Sequence, residues 1–167
     1  MGFGLAILVA VSSLHAAPIV PSPERDAARV DELLFATSLD AFERTARTPG
    51  ANDRSLDWST DLCSAPLVGN SGRSFDFSPA CRRHDFGYRN LKLLDRRYSC
   101  AARPLAHYCR AGSWHYGHWW NEWRRKAVDE LFSLDMKTLC DRRPLWERTR
   151  CHLWRGVFYF SVRAMGG

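Results

Sequence analysis

The stretch Cys81-Arg82-Arg83-His84-Asp85-Phe86-Gly87-Tyr88-Arg89-Asn90 sets an imidazole beside a carboxylate in a segment anchored by a cysteine. An imidazole can take a proton from water near neutral pH, and a carboxylate oxygen can hold a hard cation. Ser78 before Pro79 reads as a helix start, because a serine hydroxyl can cap a free N–H and proline in the first turn gives up no hydrogen bond. The predicted helix runs to about Leu94. At about 100° per residue, Cys81, His84, Tyr88 and Leu91 share one stripe, Arg82 and Arg89 lie opposite, Arg83 lies on a flank and Asp85 at the rim. His84 therefore faces inward as a candidate base. A hydrogen-bonded core histidine is the plainer account of the same position, so the case depends on what the rest of the chain brings to it.

A second helical pattern runs from about Asn121 to Cys140, and Phe132, Met136, Leu139 and Cys140 fall within roughly 80° of Asp129. A carboxylate on an apolar stripe is costly without a donor. An imidazole N–H from another helix would serve, and so would Arg125 one turn earlier. The loop Asp57-Trp58-Ser59-Thr60-Asp61-Leu62-Cys63 supplies Asp61 and the Leu62 carbonyl, which with Asp85 are the hard oxygens that calcium prefers. A Cys63–Cys81 bridge would bring them within reach of one another; Asp61 as a plain turn residue is the alternative. His115 and His118 stand at i and i+3 without a carboxylate or thiolate beside them, a poor metal pair.

The elements that must position these groups belong to a chain of 167 residues, 46% hydrophobic and with seven tryptophans, which suits one globular domain. Residues 3–16 form an uncharged apolar run too short to span a bilayer, followed by small residues and Pro18; the expectation is a secretory signal over 1–16. A core helix is the other reading, since no Lys or Arg precedes the run. Residues 17–29 read as an extended, proline-rich lead or pro-segment, and 30–167 as a single domain. Val30, Leu33, Leu34, Leu39 and Phe42 recur at helical spacing, with Thr37-Ser38 breaking two short helices. Gly69, Gly72 and Pro66 keep the stretch after Cys63 irregular. Residues 95–126 read as an irregular insertion. Near the end, Trp154, Val157, Phe158 and Val162 suggest a buried helix, although Val-Phe-Tyr-Phe-Ser-Val could pass for a strand.

Six cysteines without a Cys-x-x-Cys pair favour three disulfides in an oxidising compartment, with Cys100 and Cys109 clipping a local loop. The net charge is +6, and residues 82–126 carry eleven basic and three acidic side chains. With Trp114, Tyr116, Trp119, Trp120 and Trp123 among them, this middle segment could meet an anionic lipid surface, nucleic acid or an acidic partner, and charge does not choose between them; core packing accounts for at least half of those rings. No glycine-rich phosphate loop or Gly-x-Ser-x-Gly elbow is present, which argues against a nucleotide-driven enzyme and an ordinary serine lipase.

Asp61-Leu62-Cys63-Ser64-x-Pro66, then Phe77-x-x-Ala80-Cys81-x-Arg83-His84-Asp85-Phe86-Gly87-Tyr88-Arg89-Asn90, resemble the secreted phospholipases A2 of bacteria and fungi. Val128-Asp129-x-x-Phe132-x-x-Asp135-Met136-Lys137-x-x-Cys140 is similar to that family's second active-site helix. The resemblance implies an all-α, disulfide-linked domain with two central antiparallel active-site helices. It implies His84 as general base with Asp129 as its partner, calcium held by Asp61, the Leu62 carbonyl and Asp85, and bridges Cys63–Cys81 and Cys140–Cys151. The expected activity is calcium-dependent hydrolysis of the sn-2 ester of a glycerophospholipid by a secreted monomer acting at a phospholipid surface, without nucleic acid. A non-catalytic cationic binding protein on the same scaffold and a secreted nuclease are the competing expectations. The insertion at 95–126 departs from the family pattern.

Overall fold

The computed structural model describes residues 21–63, 75–104, 106–109 and 116–165. The apolar run 1–16, the stretch after Cys63 that carries Pro66, Gly69 and Gly72, and Trp114 and His115 lie outside these residues.

Helices make up the architecture, and no strand occurs among the described residues. Helix α1 (Pro23–Asp31) starts where Ser22 accepts a bond from the Arg25 N–H and Pro23 follows, with Glu24 and Asp26 in the first turn. This corrects the expected extended lead: residues 23–29 are helical, because the serine cap, the proline and the acidic first turn together form a start signal that outweighs the prolines just upstream. A wider π-type turn, Glu32–Ala36, continues α1 until Thr37 turns extended. Ser38 then caps α2 (Leu39–Arg47), so the break falls at Thr37-Ser38 as the sequence suggests.

Helix α3 (Ser78–Leu94) has the expected span, but its cap differs. Asp76 Oδ1, not the Ser78 hydroxyl, accepts a bond at this end, from the Ser78 N–H at 2.9 Å. The carboxylate two residues upstream reaches the free N–H while Ser78 is already inside the first turn. A π-type turn, Asp95–Ser99, and the short α4 (Cys100–Ala102) follow. Helix α5 (Glu122–Asp141) is capped by the Asn121 side chain, and α6 (Leu145–Met165) ends the described chain. The Val-Phe-Tyr-Phe-Ser-Val segment is thus helical. Phe158 is buried there and Trp154 and Val162 pack against the core, but Val157 is 45% exposed, against expectation, because it falls on the outer face of α6.

Helices α3 and α5 run antiparallel at the centre, since Arg83 meets Asp135 while His84 and Tyr88 meet Asp129 and Tyr88 meets Arg125. Their close approach requires Gly87: a Cβ there would lie 2.8 Å from Val128 Cγ1. One apolar cluster, with Leu34, Phe42, Phe86, Leu91 and Val128, fills the space between α1, α2, α3 and α5. The other, with Phe77, Phe132, Met136 and Phe158, lies under α6 beside two disulfides. All three bridges are formed, Cys63–Cys81, Cys100–Cys109 and Cys140–Cys151, with Cα separations of 5.4, 5.4 and 5.5 Å.

The insertion is less irregular than its composition suggests. Asp95, 4% exposed, accepts the N–H groups of His118, Trp119 and Trp120 at 2.7 to 3.0 Å, so one buried carboxylate anchors residues 118–120 to the end of α3. Trp120 is buried and Trp119 packs on the core, whereas Trp123 is 80% exposed.

Candidate active site

His84 faces the gap between α3 and α5, stacked near Tyr88 and Phe132, with ring centroids 4.4 and 4.8 Å away. Its side chain is 11% exposed. Its Nε2 lies 2.8 Å from Asp129 Oδ1, on the facing helix. The same Asp129 oxygen accepts the Tyr88 hydroxyl at 2.8 Å, and Oδ2 accepts Arg163 Nη1 at 2.8 Å. Arg125, the alternative partner read from sequence, stands 3.9 Å away and instead donates Nε to the Tyr88 oxygen at 3.3 Å.

Asp129 is fully buried, which works against its charge, yet the bonds from His84, Arg163 and Tyr88 outweigh burial and hold its pKa below the ordinary carboxylate value. Burial and the charge of Asp129 push the Tyr88 phenol well above its usual range, so that it remains a donor. The result is an ionised carboxylate that orients an imidazole through Nε2 and leaves Nδ1 as the ring atom for other chemistry.

On the other side of His84, the loop 57–63 closes against α3. Asn90, completely buried, accepts the Asp57 N–H through Oδ1 at 2.8 Å and donates Nδ2 to the Asp57 carbonyl at 2.8 Å, pinning the loop to the helix. Further along, Asp85 Oδ2 accepts the Thr60 hydroxyl at 2.5 Å and the N–H groups of Asp61 and Leu62 at 3.2 and 3.1 Å. Leu62 has φ of 58°, in the left-handed region that a branched side chain seldom adopts. The Asp85 and Thr60 oxygens, both bonded to its N–H, hold that strained turn.

Burial raises the Asp85 pKa, an effect the Thr60 bond opposes and nearby Asp61 reinforces. Asp61 itself is exposed and ion-paired with Arg89 Nη2 at 2.8 Å. Among the described residues no group of three or more His, Cys, Asp or Glu side chains is arranged to hold a metal. Two carboxylates and a main-chain carbonyl, the donors read from sequence, fall below that number by their nature, and all three come from the one loop-to-helix contact.

The structure therefore brings His84 to Asp129, and Asp61 and Leu62 to Asp85. His118 has a different task, its backbone N–H binding Asp95 and its ring lying edge-on to Trp119. Sequence reasoning had no role for Arg163, one of several arginines on the terminal helix with nothing in the sequence to single it out, or for Thr60. Tyr88 was legible as a neighbour of His84 one turn on, and Asn90 as part of the signature, but neither bond could be read from spacing.

The chain matches a family model described as prokaryotic phospholipase A2 over residues 30–111. It is 32% identical over 165 residues to a secretory phospholipase A2 of Arthroderma benhamiae, an alignment covering 97% of this chain and 93% of the relative. It is also 31% identical over 137 residues to a secretory phospholipase A2 of Beauveria bassiana, covering 82% of this chain and 57% of that longer relative. The first likeness covers nearly the whole of both chains, so the fold and its central helices belong to a shared lineage of lipid hydrolases. The chain belongs to the phospholipase A2 family of enzymes, in its prokaryotic and fungal branch.

Proposed function

We propose that this enzyme is secreted and hydrolyses the sn-2 ester of glycerophospholipids, with His84 as general base, Asp129 as its orienting partner and calcium as cofactor. The observation that carries the reading is the 2.8 Å contact between His84 Nε2 and the buried Asp129 carboxylate. With Nε2 donating to Asp129, Nδ1 is the acceptor that takes a proton from water, which then attacks the ester carbonyl. Asp129 keeps the imidazole in that tautomer and stabilises the imidazolium that forms. Collapse of the tetrahedral species returns the proton to the leaving glycerol oxygen, giving a lysophospholipid and a free fatty acid without a covalent enzyme intermediate.

The donor set of Asp61, the Leu62 carbonyl and Asp85 fits calcium in its chemistry. All are hard oxygens, and Asp85 is a carboxylate whose burial disfavours its charge until a cation or donor compensates it. Bound there, calcium supplies charge stabilisation for the ester oxygen and the substrate phosphate. Thr60, Asn90 and the Cys63–Cys81 bridge hold the loop that presents these oxygens. No helix among the described residues is long and apolar enough to cross a membrane; the phospholipid substrate itself supplies the lipid surface as partner. The net charge of +6 favours an anionic one.

Release of fatty acid from phosphatidylcholine vesicles, measured with calcium and with excess EGTA, tests the reaction and the metal together. Calcium-dependent release is expected; full activity in EGTA removes the metal from the account, and no release with calcium present removes the activity.

A further inference from the structure

Helix α6 presents two faces of unusual contrast. Cys151 and Phe158 are buried on one, with Trp154 and Val162 packed beside them. Trp146, Leu153, Val157 and Phe160 lie on the other, 83%, 69%, 45% and 73% exposed. Their spacing of i, i+7, i+11 and i+14 confines them to a wedge of roughly 60° extending about 21 Å along the helix. Scattered exposed apolar residues are ordinary, but four large ones aligned along one helix face are not.

The charges around that stripe decide what it fits. Arg148, Arg150, Arg155 and Arg163 stand on the same helix against one acid, Glu147, and the exposed Arg150 flanks the stripe. A second copy of this chain would set arginines against arginines. An anionic bilayer would accept the apolar side chains below its headgroups and the guanidinium groups at its phosphates.

Position matters as well: Arg163, one turn beyond Phe160, is bonded to Asp129, and the Arg163 carbonyl accepts Arg125 from α5 at 2.8 Å. One end of the stripe thus adjoins the His84–Asp129 contact. The tryptophan-rich insertion, whose composition suits a lipid surface among other partners, has turned Trp120 into the core and leaves Trp123 exposed.

We propose that the outer face of α6, formed by Trp146, Leu153, Val157 and Phe160, is the surface by which this enzyme docks on an anionic phospholipid bilayer. The inference rests on the phospholipase reading for its choice of partner, but its test reads binding and turnover separately. Purified protein and the Leu153→Glu/Phe160→Glu variant are sedimented with phosphatidylglycerol vesicles and with phosphatidylcholine vesicles. Both are also assayed on a short-chain phosphatidylcholine held below its micelle-forming concentration.

Tighter binding of the unaltered protein to phosphatidylglycerol, weakened by salt, is expected, together with a loss of at least about tenfold in the variant. Turnover of the dispersed substrate should stay within about twofold. Binding lost in the variant while neither protein cleaves the dispersed substrate supports the docking face and sinks the enzymatic reading alone. Equal vesicle binding by the two proteins, no vesicle binding by either, or a dimer in sedimentation velocity that the variant breaks without affecting vesicle binding overturns the proposal. The milder Leu153→Ala/Phe160→Ala pair, read the same way, replaces the glutamates if circular dichroism shows them to unfold the helix.

Discussion

Helices α3 and α5 meet through two buried charged contacts, made by consecutive residues of α3, and the two could hardly differ more. At one, His84 faces Asp129; at the other, Arg83 faces Asp135. Asp129 accepts bonds from His84, Tyr88 and Arg163, and its pKa falls below the ordinary value. Asp135 has Arg83 at 3.4 Å, its Oδ2 is buried without a partner, and burial pushes its pKa up to about 6 despite the Arg83 charge. Arg83 divides itself, since it also donates to the carbonyls of Leu34 and Thr37, where the end of α1 meets the core. A buried carboxylate is thus set by how many donors converge on it, and the mere presence of an opposite charge is not enough. The fully served carboxylate is the one beside the proposed base; the underserved one ties the helix pair to the N-terminal segment.

The largest expected effect breaks the first contact. His84→Gln keeps a polar side chain near Asp129 but removes the base, and should lower turnover by roughly two to four orders of magnitude with the fold intact. Near-normal turnover in a protein with unchanged circular dichroism would remove His84 as the base.

The next concerns pH and opposes the two carboxylates. Asp129, with a lowered folded pKa, contributes stability above the unfolded carboxylate range that is lost as pH falls through its folded value. Asp135, with a raised one, contributes stability that is complete below its unfolded value of 3.8 and is lost as pH rises through about 6. The size of the second effect is at most about 3 kcal/mol. Asp135→Asn cannot ionise, so its stability relative to the unaltered protein should improve between pH 4 and pH 7 in urea denaturation; parallel curves would refute this linkage.

Gly87→Ala tests the rigid spacing that both contacts share. Its Cβ would overlap Val128 and force the helices apart, for an expected loss of about 2 kcal/mol of stability, seen as a lower urea midpoint. An unchanged midpoint would mean that the pair can shift without cost. Smallest of all, Tyr88→Phe removes one of the donors to Asp129 and should cost about 1 kcal/mol, read as a several-fold drop in kcat with KM little altered. A change confined to KM would assign Tyr88 to substrate contact instead.

Much of this was open to reading along the chain. The span 78–94 of α3, the break at Thr37-Ser38 and the inward direction of His84 follow from periodicity and punctuation, which act over a few residues. The helical start at Ser22-Pro23-Glu24 was equally local and was obscured by the prolines before it. Arg83 was harder: a flank position on an isolated helix does not reveal that α1 will cover it. Arg163 was harder still, because no spacing rule connects it to Asp129 across 34 residues. Val157, 45% exposed on α6, shows the same limit, since an apolar run does not say which of its faces finds a partner.

By itself the amino-acid order determined where helices begin and end, which residue types stand ready for proton transfer and cation binding, and the family to which such an arrangement is similar. Only the folded chain decided which carboxylate receives three donors and which receives one, and which apolar stripe stays in water. Helical propensity and capping are settled among near neighbours, whereas the desolvation of a charge and the arrival of its donors depend on elements that approach from elsewhere in the chain.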